Sequence, residues 1–470
     1  MEGGIGSSGV TAPPAAARAA MPSDAIVPRQ RVLETEIVVL CIAKLLEQPE
    51  ILRLAQTTKA CLREVRGRLE ALDLLSYFER LHGKAHCDDP IDAKVVSIVQ
   101  HFPSLRSLVL EGVVTADGIR EIGTLLPKLR QLDLSECSLT DAGLSRLPRA
   151  LETLTVGDYE KEIPFTEVTA LTENPVSNPL SDARVAEIAE ACPNLRSLEI
   201  TYARGLTDVA LSTIASSYGS LTSLDVGGGA ITDNGIRCIV AACRQLVTVG
   251  LTQIEYGDIG DGSIVALAEL PLKKLRLLYF ADTEEAVTVM EPSAFSNDSF
   301  EALAGCSSLV SFSLTCDCPP VVDDVFSHIS EEYVEMLVKN CTKLKKLHIS
   351  CLRLSEQTIL SIGSSCSFME DLDLELEEDE SENMEDAISR LASGCPHLRR
   401  LCFHRNDFTA TAVHTLVTEC RNLRSLEIKS LDTEEAAIAS AIAAHPLLHT
   451  LLLFTRQTTI TESIRRVGAS

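Results

Sequence analysis

Apolar residues recur along this chain as LxxLxL, with polar residues filling the gaps. The pattern begins at Leu105-Leu108-Leu110, returns at Leu129-Leu132-Leu134 and runs to Leu448-Leu451-Leu453, making thirteen copies. Leu69-Leu72-Leu74 offers a fourteenth. Within each copy apolar and polar positions alternate with period two, which predicts a strand with one buried face. In residues 192–220 the strand Leu195-Leu198-Ile200 is followed by a loop. Val209, Leu211, Ile214 and Ala215 then fall at helical spacing, with Thr207 or Asp208 as the N-cap. Strand, loop and helix therefore alternate down the chain.

Most steps between copies are 22–29 residues, the period of a leucine-rich repeat. Such units stack, so the chain is expected to grow as one solenoid and not as separate globular cores. The predicted fold is α/β: a right-handed leucine-rich-repeat horseshoe, with parallel strands on the inner curve and helices on the outer. The handedness follows from the crossover rule for parallel strands. Repeats are assigned to residues 67–460. Three intervals are stretched: 44 residues from Leu151 to Leu195, 37 from Leu272 to Leu309 and 35 from Leu309 to Leu344. They place insertions at 157–182, 281–298 and 316–332.

Composition sharpens this picture in three ways. Aromatics are only 4% and tryptophan is absent, as suits a narrow interior of stacked repeats. Acids outnumber bases 67 to 42, for a net charge of −25. A phosphate-backbone binder needs Lys and Arg to displace counterions, so nucleic acid is not expected as a partner, whereas basic or mixed-charge proteins are. No apolar run reaches the ~18 residues of a membrane span, so no membrane association is expected. Residues 1–30, rich in Gly, Ala, Ser and Pro, read as a disordered leader.

Seven of the sixteen cysteines sit three residues before an LxxLxL: Cys192, Cys243, Cys306, Cys341, Cys366, Cys395 and Cys420. A cysteine locked to the repeat register is a packing residue. Five consecutive repeats carry one, and an odd ladder cannot pair completely. The cysteines therefore read as reduced thiols, with a cytoplasmic or nuclear location.

The search for chemistry finds little. Gly4-Ile5-Gly6-Ser7-Ser8-Gly9 is a formal GxGxxG without the strand before it or the helix after it that phosphate binding needs. Cys316 and Cys318 have no His at ligand spacing. No catalytic residue, metal site or cofactor is assigned, and the chain is not expected to be an enzyme.

The segments Leu139-Thr140-Asp141-Ala142-Gly143-Leu144, Leu206-Thr207-Asp208 and Ile231-Thr232-Asp233-Asn234-Gly235-Ile236, together with the cysteines before the strands, resemble the cysteine-containing subclass of leucine-rich repeats. Residues 33–66 do not follow the repeat. Their dense apolar residues, broken at Pro49, read as short helices that must either cap the solenoid or dock onto a partner. This segment resembles an F-box. Leu33 and Glu36 match its opening, Ile37, Val38, Ile42, Leu45 and Leu46 its first helix, and Pro49, Ile51, Leu52, Arg53 and Leu54 its turn and second helix. Glu34 and Cys61 stand where the motif commonly has Pro and Trp.

The resemblance implies a substrate-recognition subunit of an SCF-type cullin–RING ubiquitin ligase. Leu33, Ile37, Ile42, Leu45, Pro49, Ile51, Leu52 and Leu54 would bind a Skp-type adaptor, and a protein target would lie on the concave face. The repeat places variable residues on that face. In the later repeats these are charged: Lys346 and His348, then Asp371, Asp373 and Glu375, then Arg400 and His404, then Glu427 and Lys429. Such rows either orient a bound protein or satisfy one another as cross-strand pairs. The alternative reading is a non-catalytic interaction scaffold or inhibitor without ligase association.

Overall fold

The computed structural model describes residues 70–74, 92–110, 114–135, 137, 144, 146–157, 180–201, 203, 205–227, 229–254, 259–280, 295–317, 329–377, 384–404, 408–429, 447–448, 450–454 and 459–463. The F-box-like segment 33–66 lies outside the described residues, as does most of each predicted insertion.

From Glu70 onward the chain forms one unit, an open sheet of fifteen strands whose spatial order is their sequence order. β1 (Ala71–Asp73), which carries Leu72 of the fourteenth copy, is the first strand among the described residues. The later strands are β6 (Ser223–Gly227), β7 (Thr248–Ile254), β8 (Lys274–Phe280), β9 (Ser311–Asp317), β10 (Lys346–Leu354), β11 (Asp371–Leu376), β12 (Arg400–His404), β13 (Ser425–Lys429) and β14 (Thr450–Phe454). Neighbours from β1 to β14 pair in parallel, while β15 (Thr459–Ser463) closes the sheet antiparallel to β14. The repeat pattern did not predict β15, because Thr459–Ser463 carries no LxxLxL.

Register follows the apolar pattern. Leu224, Val249, Leu275, Phe312, Leu347, Leu372, Leu401 and Leu426 stand side by side across eight strands. All eight are buried. A slip of one residue would turn this whole row into solvent, and each fully buried Leu contributes about 1.5–3 kcal/mol. Between strands, helices such as α4 (Asp208–Ser217), α5 (Asp233–Ala242) and α6 (Asp261–Ala268) stack on one another along the other wall. In α4 the buried stripe is Ala210, Leu211 and Ile214, while Val209 is 61% exposed. The helix starts where the sequence placed it, with Ala210 in place of Val209 on the buried face.

The Thr-Asp segments do two jobs. Thr207 is the N-cap of α4, its hydroxyl accepting from the Val209 amide. The neighbouring Asp208 does not cap its own helix. Its carboxylate reaches the next repeat and accepts from the Thr232 amide (2.9 Å) and hydroxyl (2.7 Å). The same clamp recurs from Asp182 to Thr207, from Asp261 to Ser296 and from Glu331 to Ser355. Each acid thus satisfies donors at the start of the following helix, where a negative charge is also favoured by the helix dipole.

The cysteine ladder is equally regular. Cys243 donates its thiol to the Tyr218 carbonyl at 3.3 Å, Cys341 to Cys306 at 3.3 Å and Cys395 to Cys366 at 3.4 Å. None of the twelve described cysteines is in a disulfide. Burial pushes the Cys341, Cys366 and Cys395 thiols up to about 12, which keeps them protonated as hydrogen-bond donors. Tyr218 fills the same position in its own repeat and sends its hydroxyl to the Ile188 carbonyl.

Candidate functional site

The solvent-facing positions of β10 to β13 form the most charged part of the described sheet. Alternation along β11 buries Leu372, Leu374 and Leu376 and turns Asp371, Asp373 and Glu375 outward. Strand register then aligns Lys346 with Asp371 and Arg400 in one row, and His348 with Asp373, Cys402 and Glu427 in the next. Glu375 lies opposite His404.

The bonds run within these rows and diagonally between them. His348 Nε2 lies 3.1 Å from Asp371 Oδ1, one row across. His404 Nε2 lies 2.8 Å from Asp373 Oδ1 and 3.2 Å from Cys402 Sγ. Arg400 spans both acids, 3.3 Å to Asp371 and 3.1 Å to Asp373, and Lys346 sits 3.8 Å from Asp371. The basic side chains of β10 and β12 and the acids of β11 therefore neutralise one another in large part. Burial by itself raises the Asp371 and Asp373 carboxyls. Hydrogen bonds and positive charge from the two histidines and Arg400 outweigh it, so both end below the ordinary aspartate value.

A second charged centre lies on β6 to β8. Arg276 extends across β7 to Asp225 at 2.6 Å. The crossing is possible because Gly250 stands between them; a Cβ there would collide with the Asp225 carboxylate. Burial raises the Asp225 carboxyl and Arg276 only partly offsets it. The repeat pattern alone does not single out this pair. The glycine at a strand-face position was the available signal, since it marks a close approach.

Of the residues expected on this face, Lys346, His348, Asp371, Asp373, Glu375, Arg400, His404 and Glu427 all lie on strands at outward positions. Lys429 ends β13, with its side chain outside the described set. The adaptor-binding expectations, Leu33, Ile37, Ile42, Leu45, Pro49, Ile51, Leu52 and Leu54, fall outside the described residues. The structure brings Cys402 together with Asp373 and His404. Among the described residues, no helix is long and apolar enough to cross a membrane.

Comparison with known proteins agrees with this architecture. A leucine-rich-repeat family model matches residues 126–147 and 220–240. The yeast Rad7 and Elc1 complex contains a chain with TM-score 0.51 at 15% identity, over 93% of this chain and 99% of that one. The chain therefore has the leucine-rich-repeat fold. Its relatives by sequence include an F-box/LRR-repeat protein and coronatine-insensitive protein homologs. F-box/LRR-repeat protein 17 of Arabidopsis thaliana is 27% identical over 33% of this chain and 29% of its own length. Coronatine-insensitive protein homolog 1a of Oryza sativa is 23% identical over 73% of this chain and 49% of its own. The chain spans about half the length of these curated relatives, or less.

Proposed function

We propose that the chain is the substrate-recognition subunit of an SCF-type cullin–RING ubiquitin ligase and is not itself a catalyst. Residues 33–66 engage a Skp-type adaptor, and the strand face of the repeats, its concave side, holds the target protein. The observation that carries the reading is the charged strand face of β10 to β13, set in a chain with an F-box/LRR-repeat protein among its relatives. Exposed ion pairs contribute at most about 1 kcal/mol each to stability. Fixed rows of opposite sign have a greater effect on which surface docks and in what orientation. The chain's part in transfer is then proximity, holding a target near the ubiquitin-loading enzyme.

The two halves of the proposal separate by mutation. A tagged Leu45→Asp, Ile51→Asp, Leu54→Asp variant is expected to lose the adaptor on affinity capture while retaining the proteins that wild type holds. A Lys346→Glu, Glu427→Lys variant is expected to do the reverse, losing bound proteins at least tenfold. If both variants keep both sets of partners, neither surface has the assigned role.

A further inference from the structure

Three different donor types meet on β11 and β12. One ligand atom from each of Asp373, Cys402 and His404 lies within 4.8 Å of the other two. The carboxylate and the imidazole are half-buried, whereas the thiol is 1% exposed. Carboxylate oxygen, imidazole nitrogen and thiolate sulfur are together the donor set of a borderline-soft divalent cation. Zinc bonds of about 2.0–2.1 Å to N or O and about 2.3 Å to S, at the tetrahedral angle, hold their donors about 3.3–3.6 Å apart. The two short separations here, 2.8 and 3.2 Å, are slightly tighter, so side-chain rotation suffices to admit the ion.

The surroundings suit such a site. Arg400 occupies the other Asp373 oxygen, fixing the carboxylate plane while leaving Oδ1 to the site. Its charge lowers affinity but takes no ligand position. Neighbouring His348 is engaged with Asp371. Three protein ligands leave a fourth tetrahedral position, the arrangement of zinc sites that accept an exogenous donor.

We propose that Asp373, Cys402 and His404 bind zinc, with the open position facing the solvent side of the sheet for a water or for a donor side chain of a docked protein. On binding, Cys402 releases its proton to solvent and coordinates as thiolate, while His404 presents unprotonated Nε2 and carries its proton on Nδ1. The site stands on these three side chains and does not depend on adaptor binding.

Cobalt(II) titration of the metal-free, reduced full chain tests this. One equivalent is expected to produce a thiolate-to-cobalt charge-transfer band, which zinc then removes by displacement. Cys402→Ser should abolish that band. Asp373→Asn and His404→Gln keep the thiol at the site and alter only half-buried positions. With an unchanged circular dichroism spectrum, each should weaken cobalt binding by more than roughly 100-fold, beyond the usual cost of losing an outer-shell partner. A wild-type chain without the band, a band that survives in Cys402→Ser, or wild-type affinity in both other variants would overturn the proposal.

Discussion

Replacing Phe312 by alanine is expected to destabilise the repeat unit by about 3–5 kcal/mol, the range for deleting a buried aromatic ring. Phe312 is 1% exposed and occupies the central leucine position of its repeat. Leu275 and Leu347 flank it in register on β8 and β10. Phe300 meets it edge-on, with ring centroids 6.1 Å apart and planes at 90°, a favoured aromatic geometry. The void would open between three strands and a helix, where stacked neighbours on both sides resist collapse. Phe312→Leu should cost much less, under about 1.5 kcal/mol, because leucine holds the same register position in β8 and β10. Thermal melts of both variants check the pair. Equal losses would mean that leucine's volume restores nothing and that the ring itself is required at this position.

The second large effect concerns the clamp between repeats. Asp233 accepts from the Gly260 amide (2.9 Å), the Ser263 amide (2.9 Å) and the Ser263 hydroxyl (2.6 Å). Asp233→Ala leaves these donors at the start of α6 without their acceptor, at an expected cost of about 2–4 kcal/mol. A solenoid is held by nearest-neighbour interfaces, so the damage should be local. Hydrogen exchange is expected to show lost protection over residues 261–268 and unchanged protection over residues 116–125. Protection lost evenly along the array would contradict a clamp of this kind. Asp233→Asn, which keeps an acceptor oxygen, should recover part of the loss.

These two sites also show where sequence is a good guide and where it is not. Strand positions were legible because a two-residue alternation repeated at a fixed period leaves one register that buries every leucine, as the row from Leu224 to Leu426 demonstrates. Helix starts were legible from Thr207 and Thr232, which do cap. Asp208 and Asp233 belonged to the same motif. Their role was hidden because their partners lie in the next repeat, more than twenty residues away. The thiol ladder was readable from its phase, since only a buried position recurs so strictly. On the strand face, register alone sets which residues are neighbours. It does not choose between opposite and diagonal bonds, and His348 and His404 both take a diagonal one. The Asp373, Cys402 and His404 trio escaped a search by linear ligand spacing because Asp373 and the other two come from adjacent strands, 29 and 31 positions apart.

The most direct measurement is light scattering after size exclusion of the purified full chain mixed with purified Skp-type adaptor. The proposed function predicts a one-to-one complex that disappears in the Leu45→Asp, Ile51→Asp, Leu54→Asp variant. A natively folded chain that elutes alone, beside adaptor still able to bind another F-box, would contradict it and leave a free-standing binding scaffold.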